Sequence, residues 1–583
     1  INRKRYWSYM INARIQAQNR EANLKSYEQD YNKFSWADAE KNFTWHKTGR
    51  INIVHEAVDR WANDKKKADS KALIFEKAGK IQTFTYKSLK EISCSWANLL
   101  KHHGFKAGDR LFIFLPPCPE IYFAMLACAR MGVLFCPLFS SLSTDELEDR
   151  LENAGPRAIL TNPDLEERLP GETMSIVKYL FLVQGPLPGL FPEEIPVEEI
   201  INKMSPQFDT IWLPADTPLY LLFTSGSTGP PKGVVHAHHD MVGHLITARY
   251  VLNLNQESIL WADCYPAWVT GTVYGAFAPW LCGATSVVQG DPFSASSWYR
   301  TLETHQVSTW YITPGTMNRL KEAGRDLVHR YDLSHLSHII TVGEALAPEL
   351  IYWFKENFKI SPHDNWWMTE TGMICIANFP SMDIRPGSMG KPVPGIEAAV
   401  IDEKGNDLPP FTMGELALKP GWPAMMTAIW KDKSRYREYF RLEGWFLTGD
   451  MVIQDMDGYI YHQGRIDDLI KVGVKLIGPY EIERALFRHP AVKESAVISK
   501  SSRPGDASLK AFITVNSGFT PSTRLNLEIK AFVKANLSSE IPLDAIVFLD
   551  KIPKTRSGKL LRRILRTSEM GLPIGESLQI KDY

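Results

Sequence analysis

The apolar positions of this chain fall into two kinds of run. RLFIFL (110–115) and RAILTN (157–162) are short, mostly apolar and bounded by turn residues, the pattern of buried strands. Between them EIYFAMLACARM (120–131) is long enough for a helix buried on most of its faces. STWYIT (308–313) and SHIITVG (337–343) repeat the strand pattern, separated by stretches with helical spacing. Alternation of this sort predicts an α/β architecture of mixed sheets and helices. The pattern changes over 395–420, where short alternating runs are broken by EKGN and LPP turns, which predicts a β-rich subdomain. Beyond GRIDD (464–468) the strands SAVIS and KAFITV join the helical run LNLEIKAFVKANL, which predicts a small α+β domain. A chain of 583 residues is too long for one core, and these shifts divide it into a large domain, 1–465, and a small one, 466–583. The most apolar region, 111–139, is interrupted by Pro116, Pro117, Pro119, Glu120 and Arg130, so it predicts strand, helix and strand rather than a membrane span.

Charge narrows the partners. Lys+Arg and Asp+Glu both number 66, so bulk charge draws the chain neither to nucleic acid nor to an anionic membrane. The seven cysteines stand singly, without a C-x-x-C pair, which predicts buried free thiols rather than a disulfide framework or a zinc site, in a reducing compartment. The basic start, INRKRYWSYMINARIQAQNR, has no apolar h-region and is not a secretory signal. The compartment expected is the cytoplasm.

The chemistry begins at TSGSTGPPKG (224–233), which follows the apolar run LYLLF. A strand that ends in a Gly/Ser/Thr-rich turn presents backbone N–H groups and hydroxyls together, and glycine lets the backbone approach an anion closely. Lys232 adds a point charge, so the loop reads as a phosphate cradle. It is not a Walker A loop, because Lys232 is followed by Gly233 and not by Ser or Thr. Taken alone, the same composition also fits a plain flexible loop.

TSGSTGPPKG resembles the phosphate loop of the adenylate-forming superfamily, which includes acyl-CoA synthetases, peptide-synthetase adenylation domains and luciferases. TVGE (341–344), DNWWMTETG (364–372), GWFLTGD (444–450), GRIDDLIK (464–471) and PKTRSGK (553–559) match that superfamily in order, and together span most of the chain. WVTGTVYG (268–275), Trp366–Trp367 and SMGKPVPG (388–395) look most like short-chain acyl-CoA synthetases, with AMP-forming acetyl-CoA synthetases the most similar kind.

The resemblance implies two half-reactions: a carboxylate attacks ATP to give an acyl-adenylate and pyrophosphate, and CoA then displaces AMP. It implies ATP/AMP, Mg²⁺ and coenzyme A as cofactors or substrates, acetate (or propionate) as the acid, and a sequence that is reversible in principle. Carried over residue by residue, it assigns Thr224, Ser225, Gly226, Ser227, Thr228, Gly229 and Lys232 to the β- and γ-phosphates. Thr224 and Glu370 would stand on the Mg²⁺ side. Gly343, Glu344 and Trp366 would wall the adenine, with Ala345, Asp364, Asn365 and Met368 beside them. Thr369 would hold the α-phosphate, Asp450 the ribose hydroxyls with Arg465 assisting, and Lys559 the charge that builds during adenylation. Val269, Thr270, Val342 and Trp367 would line the acyl pocket. Asp467 would be the hinge of a mobile C-terminal domain, and Gly473 and Val474 would lie on the CoA approach. Lys559 would also be where a lysine acetyltransferase and deacetylase act.

Several positions depart from the pattern. Tyr265 stands where the family usually has an acid, Ala267 replaces a glycine, and Ala345 replaces a proline. Val474 and Leu476 occupy the usual places of a glycine and an arginine, with Gly473 and Lys475 one position earlier. The alternatives are a medium-chain or aryl carboxylate ligase, a peptide-synthetase adenylation domain and a non-catalytic nucleotide-binding homologue. Trp367 argues against the first and the intact motif residues against the last. His236, His238 and His239 cluster after the loop without a carboxylate or cysteine at ligand spacing, which predicts a structural role.

Overall fold

The computed structural model describes residues 13–17, 21–185, 188–191, 194–224, 231–466, 470–472, 475–477, 479–499, 509–536, 543–554 and 560–569. An eight-stranded sheet runs in the order 428–429, 232–237, 218–224, 134–138, 110–114, 158–161, 179–182, 194–196. Its middle strands are parallel, as the alternation predicts, and 232–237 returns antiparallel to 218–224. A six-stranded sheet follows the order 338–341, 309–312, 259–262, 285–289, 71–77, 80–85.

Why the strands read as continuous apolar runs follows from what covers them. Along 110–114, Leu111 and Ile113 belong to one buried cluster, and Phe112 and Phe114 to another on the opposite face. In the six-stranded sheet Tyr311 and Ile340 join the first cluster, whereas Trp310, Ile312 and Ile339 join a third. The largest cluster therefore lies between the two sheets, and the central strands of both are buried on both faces. Helix Pro119–Met131 sits in that inter-sheet layer with every residue but Glu120 buried, and stops at Gly132 in the left-handed conformation. Among the described residues, no helix is long and apolar enough to cross a membrane.

The β-rich region is a four-stranded antiparallel sheet, 398–401, 413–418, 446–454 and 460–465. Past Arg465, strands 470–472 and 475–477 pair with each other, Val472 opposite Lys475. A three-stranded sheet of 492–499, 509–515 and 543–548 then packs against helices Pro479–Phe487 and Thr523–Asn536. Its two apolar clusters draw only on residues from 482 onward, and the clusters before them end at Tyr461.

Loops at the carboxyl ends of strands 218–224, 259–262 and 338–341 carry Thr224, Asp263–Cys264 and Val342–Glu344. In open α/β sheets this is the edge at which ligands are bound.

Candidate active site

Thr224 and Lys232 stand opposite each other in the ladder that flanks the glycine-rich loop. The Lys232 ammonium lies 2.5 Å from Glu370 Oε1 and also donates to the Tyr439 hydroxyl. That hydroxyl in turn donates to Glu370 Oε1 at 2.9 Å. The Tyr439 ring stacks on Phe446 with centroids 5.3 Å apart, and burial and the neighbouring Glu370 push its phenol well above the usual range, so it stays a donor. Burial alone would raise Glu370, but the Lys232 ammonium and the hydrogen bonds from Lys232 and Tyr439 outweigh it and hold the carboxyl below its ordinary range. Glu370 is thus an ionised, buried carboxylate. The Thr224 hydroxyl is buried with no hydrogen-bond partner among the described residues. A hard-oxygen pair, one ionised and one unpaired, fits a divalent cation such as Mg²⁺.

Glu370 is carried by a short 3₁₀ turn, Thr369–Thr371, whose carbonyls are all held from outside the turn. His236 Nε2 lies 2.7 Å from the Thr369 carbonyl, and its Nδ1 lies 2.6 Å from Asp240. The Met426 amide donates to the Glu370 carbonyl at 3.0 Å and the Trp422 indole to the Thr371 carbonyl at 2.8 Å. His244 Nε2 meets the Gly372 carbonyl at 3.0 Å. Gly372 has φ +67, and a Cβ there would fall 2.0 Å from the Ala424 carbonyl oxygen and 2.6 Å from His236 Cε1, so only glycine fits. The histidines after the loop are accounted for in this frame: His236 braces the turn, His238 Nδ1 accepts from the Ile53 amide at 3.2 Å, and His239 meets Glu40 at 2.9 Å.

Asp450 forms a second acidic centre. Its carboxylate accepts from the Trp366 indole at 2.7 Å and from Arg465 at 3.0 Å, with His462 3.6 Å away. Arg465 also donates to the Thr448 carbonyl, which ties it to the strand that bears Asp450. Trp366 is buried, and its N–H aims Asp450. Asp364 accepts from the Thr341 hydroxyl, the Leu346 amide and the Asn365 amide, so it fastens the 341–346 loop. Burial raises its carboxyl to about 7 against those hydrogen bonds. In that loop Gly343 has φ +93, and a Cβ would meet the Trp268 ring at 2.8 Å. Glu344 beside it is raised to about 6 by burial, opposed by Lys554 of the C-terminal segment. Lys554 is itself 2.8 Å from Glu494. Ala345 and Met368 are half-buried on the same loops.

Val269 and Val342 lie in the inter-sheet cluster, with Trp367 packed half-buried against it. Thr270 is buried, its hydroxyl without a hydrogen-bond partner among the described residues. Trp367 meets Tyr274 edge-on with centroids 5.0 Å apart. The Tyr265 departure has a structural use: its hydroxyl donates to the Leu115 carbonyl, tying the segment before Trp268 to the end of strand 110–114. Ser225, Gly226, Ser227, Thr228, Gly229, Asp467, Gly473, Val474 and Lys559 lie outside the described residues. Tyr439, His236, Asp240, His244 and His462 are site residues that the motifs did not single out.

The AMP-binding enzyme family matches residues 58–430, and the AMP-binding enzyme C-terminal domain matches residues 481–559. The chain belongs to the AMP-binding enzymes. It is 44% identical over 561 residues to the acetyl-coenzyme A synthetase of Bacillus subtilis (strain 168), covering 96% of this chain and 98% of that one. It is 34% identical to the acetyl-coenzyme A synthetase of Methanothrix soehngenii, covering 92% and 84% of the two chains. Among solved structures it is similar to the anthranilate CoA ligase AuaEII in complex with anthranoyl-AMP, with TM-score 0.81 and 26% identity over 89% of this chain and 98% of that one. An acyl-CoA synthetase of Brucella canis superposes with TM-score 0.73 and 27% identity, over 94% and 99% of the two chains.

Proposed function

We propose that this chain is an AMP-forming short-chain acyl-CoA synthetase that converts acetate, ATP and CoA to acetyl-CoA, AMP and pyrophosphate, with propionate as a poorer substrate. The observation that carries the reading is the buried, ionised Glu370 braced by Lys232 and Tyr439, with Lys232 paired across the ladder from Thr224, whose hydroxyl has no partner among the described residues. That cluster has the charges and donors needed to receive a metal-bound triphosphate at the end of a glycine-rich loop. Identity of 44% along nearly the whole chain to an acetyl-coenzyme A synthetase supports the choice of acid.

In the first half-reaction an acetate oxygen attacks the α-phosphorus of ATP, and the bond to pyrophosphate breaks. Most of the catalysis is positioning and neutralisation of charge. Lys232 and the loop residues 224–229 take the β- and γ-phosphates, Thr369 bonds the α-phosphate, and Lys559 meets the charge that develops on the carboxylate. Asp450, aimed by Trp366 and Arg465, accepts from the ribose hydroxyls. Gly343, Glu344, Ala345, Asp364, Asn365 and Met368 shape the adenine side. Thr224 and Glu370 would hold Mg²⁺, which lowers the negative charge of the phosphates. In the second half-reaction the CoA thiolate attacks the acyl carbon, and AMP leaves with the oxygen that acetate contributed. We assign residues 1–465 to the domain that binds ATP and acid and 466–583 to a mobile domain that pivots at Asp467, with Gly473 and Val474 on the CoA approach.

Trp367, half-buried against the inter-sheet cluster that includes Val269 and Val342 and edge-on to Tyr274, closes the acyl pocket in this reading and supports acetate over longer or aryl acids. The reading is tested with C2 to C8 acids and benzoate, assayed with CoA for AMP release. Release should be fastest with acetate, slower with propionate, and at background from butyrate on. Preference for benzoate or a C6–C8 acid would move the chain to the aryl or medium-chain ligases.

A further inference from the structure

The proposed acyl pocket depends on where one indole stands, and the side chain that holds it lies on a different strand. Trp367 Nε1 donates to the Tyr311 hydroxyl at 3.1 Å. Tyr311 donates onward to Asn365 Oδ1 at 3.0 Å, and Asn365 Nδ2 donates to the Thr341 carbonyl at 2.6 Å. The relay therefore starts on one pocket residue, Trp367, and ends on the peptide group that joins Thr341 to another, Val342. Every link is single and directed, because an indole N–H can only donate and the phenol here accepts once and donates once.

The relay is rigid at its centre. Tyr311 is fully buried in strand Thr309–Ile312, and its ring meets that of Tyr274 at 5.6 Å and 80°. Tyr274 meets Trp367 in a T-shaped pair and is itself fixed, since its hydroxyl accepts from the Ile374 amide at 3.0 Å and bonds the Thr247 hydroxyl at 2.8 Å. Trp367, by contrast, is only half-buried. Without the Tyr311 hydroxyl, Tyr274 would still oppose one side of the indole, but nothing on this relay would fix its rotation about the side-chain bonds.

We propose that Tyr311 is a specificity-determining positioning residue: its hydroxyl pins the Trp367 indole in the orientation that limits acid length. The inference rests on the reading of Trp367 as the pocket floor. It makes chain-length selection a property of a hydrogen-bonded frame rather than of indole volume alone. It also gives a fully buried tyrosine of the six-stranded sheet a use for its polar end.

Tyr311→Phe removes one oxygen and keeps the ring. The readout is kcat/KM for acetate, propionate, butyrate and valerate in the full-length protein, expressed as the ratio of each longer acid to acetate. A purely structural role would lower all four together and leave the ratios unchanged. The expected result is a butyrate-to-acetate ratio about ten-fold or more above wild type, the scale on which an apolar pocket separates acids by a methylene or two. A second variant removes the donor instead: β-(3-benzothienyl)alanine at position 367 keeps the indole shape but carries sulfur in place of N–H, and should give the same shift. In a Trp367→Gly background, Tyr311→Phe should alter the ratio no further. If the Tyr311→Phe and benzothienyl ratios stay within about two-fold of wild type while Trp367→Gly broadens the profile, the positioning role is overturned and the pocket reading stands. If Trp367→Gly leaves the profile unchanged as well, the pocket reading itself fails and takes this proposal with it.

Discussion

The Lys232 ammonium and the Glu370 carboxylate sit 2.5 Å apart, the carboxylate buried and the ammonium largely so, although one ends the TSGSTGPPKG loop and the other lies on the turn after Trp367. A buried pair of this kind costs more when one partner is removed than when both are, because the survivor is left charged in a poor solvent. Lys232→Met should therefore lower stability by about 3 kcal/mol and abolish ATP–pyrophosphate exchange. Adding Glu370→Gln should return most of the stability and none of the exchange. Urea unfolding of the two variants checks this, and equal stability loss in both would refute the pair as the source of the effect.

Lys559 is assigned to adenylation alone. Lys559→Ala should lose acetate-dependent pyrophosphate exchange and largely keep the conversion of supplied acetyl-adenylate and CoA to acetyl-CoA, a step for which the proposed account has the C-terminal domain turned. Acetylation of Lys559 removes the same charge and should reproduce the pattern. Equal loss in both half-reactions would rule out the two-orientation account.

Trp367→Gly would remove the proposed floor of the acyl pocket. Acetate buries one methyl group, a gain of about 0.8 kcal/mol per carbon, so its selection rests on excluding larger acids more than on affinity. The variant should gain activity on butyrate to hexanoate and lose it on acetate. A kcat/KM series that keeps the wild-type order of acids would remove Trp367 from the pocket.

Asp364 predicts a pH dependence of stability. Its folded carboxyl is raised to about 7 by burial, and an unfolded aspartate titrates at about 4. Between those values the folded protein keeps a proton that the unfolded chain releases. The contribution is complete below about pH 4, and is lost as pH rises to 7. Asp364→Asn cannot titrate, so its unfolding midpoint should fall less than that of wild type between pH 5 and pH 7.5 (about half a unit above the folded value). Parallel midpoints would show that another group sets the slope.

Much of this was legible because the residues assigned to the phosphates come in contiguous motifs. TSGSTGPPKG announces a loop by composition, and DNWWMTETG and GWFLTGD stand out by their resemblance to family motifs. The supporting residues were not legible. Tyr439 belongs to the polar stretch KSRYREYFR, where nothing in the spacing marks one tyrosine over another. It becomes part of the site only because the strand that starts at Phe446 stacks it beside Glu370. His236 read as one of a cluster of three histidines, and its use is fixed by Asp240 four residues on and by a turn 133 residues away in the chain. Tyr311 lies in STWYIT, a run that reads as plain core, and five of its six residues are what a buried strand needs in any protein of this class. The Tyr265 departure is the converse case: an irregularity in the motif that is explained by a backbone tie and not by the reaction.

The central claim is that acetate is activated as an acyl-adenylate, and oxygen transfer tests it most directly. With carboxyl-¹⁸O acetate, ATP and CoA, the attacking oxygen ends between the acyl carbon and the α-phosphorus, and thiolysis leaves it on phosphorus. The account predicts one labelled oxygen in the AMP produced and none in pyrophosphate. Label in pyrophosphate or inorganic phosphate, or acetyl-CoA formed with unlabelled AMP, would contradict it.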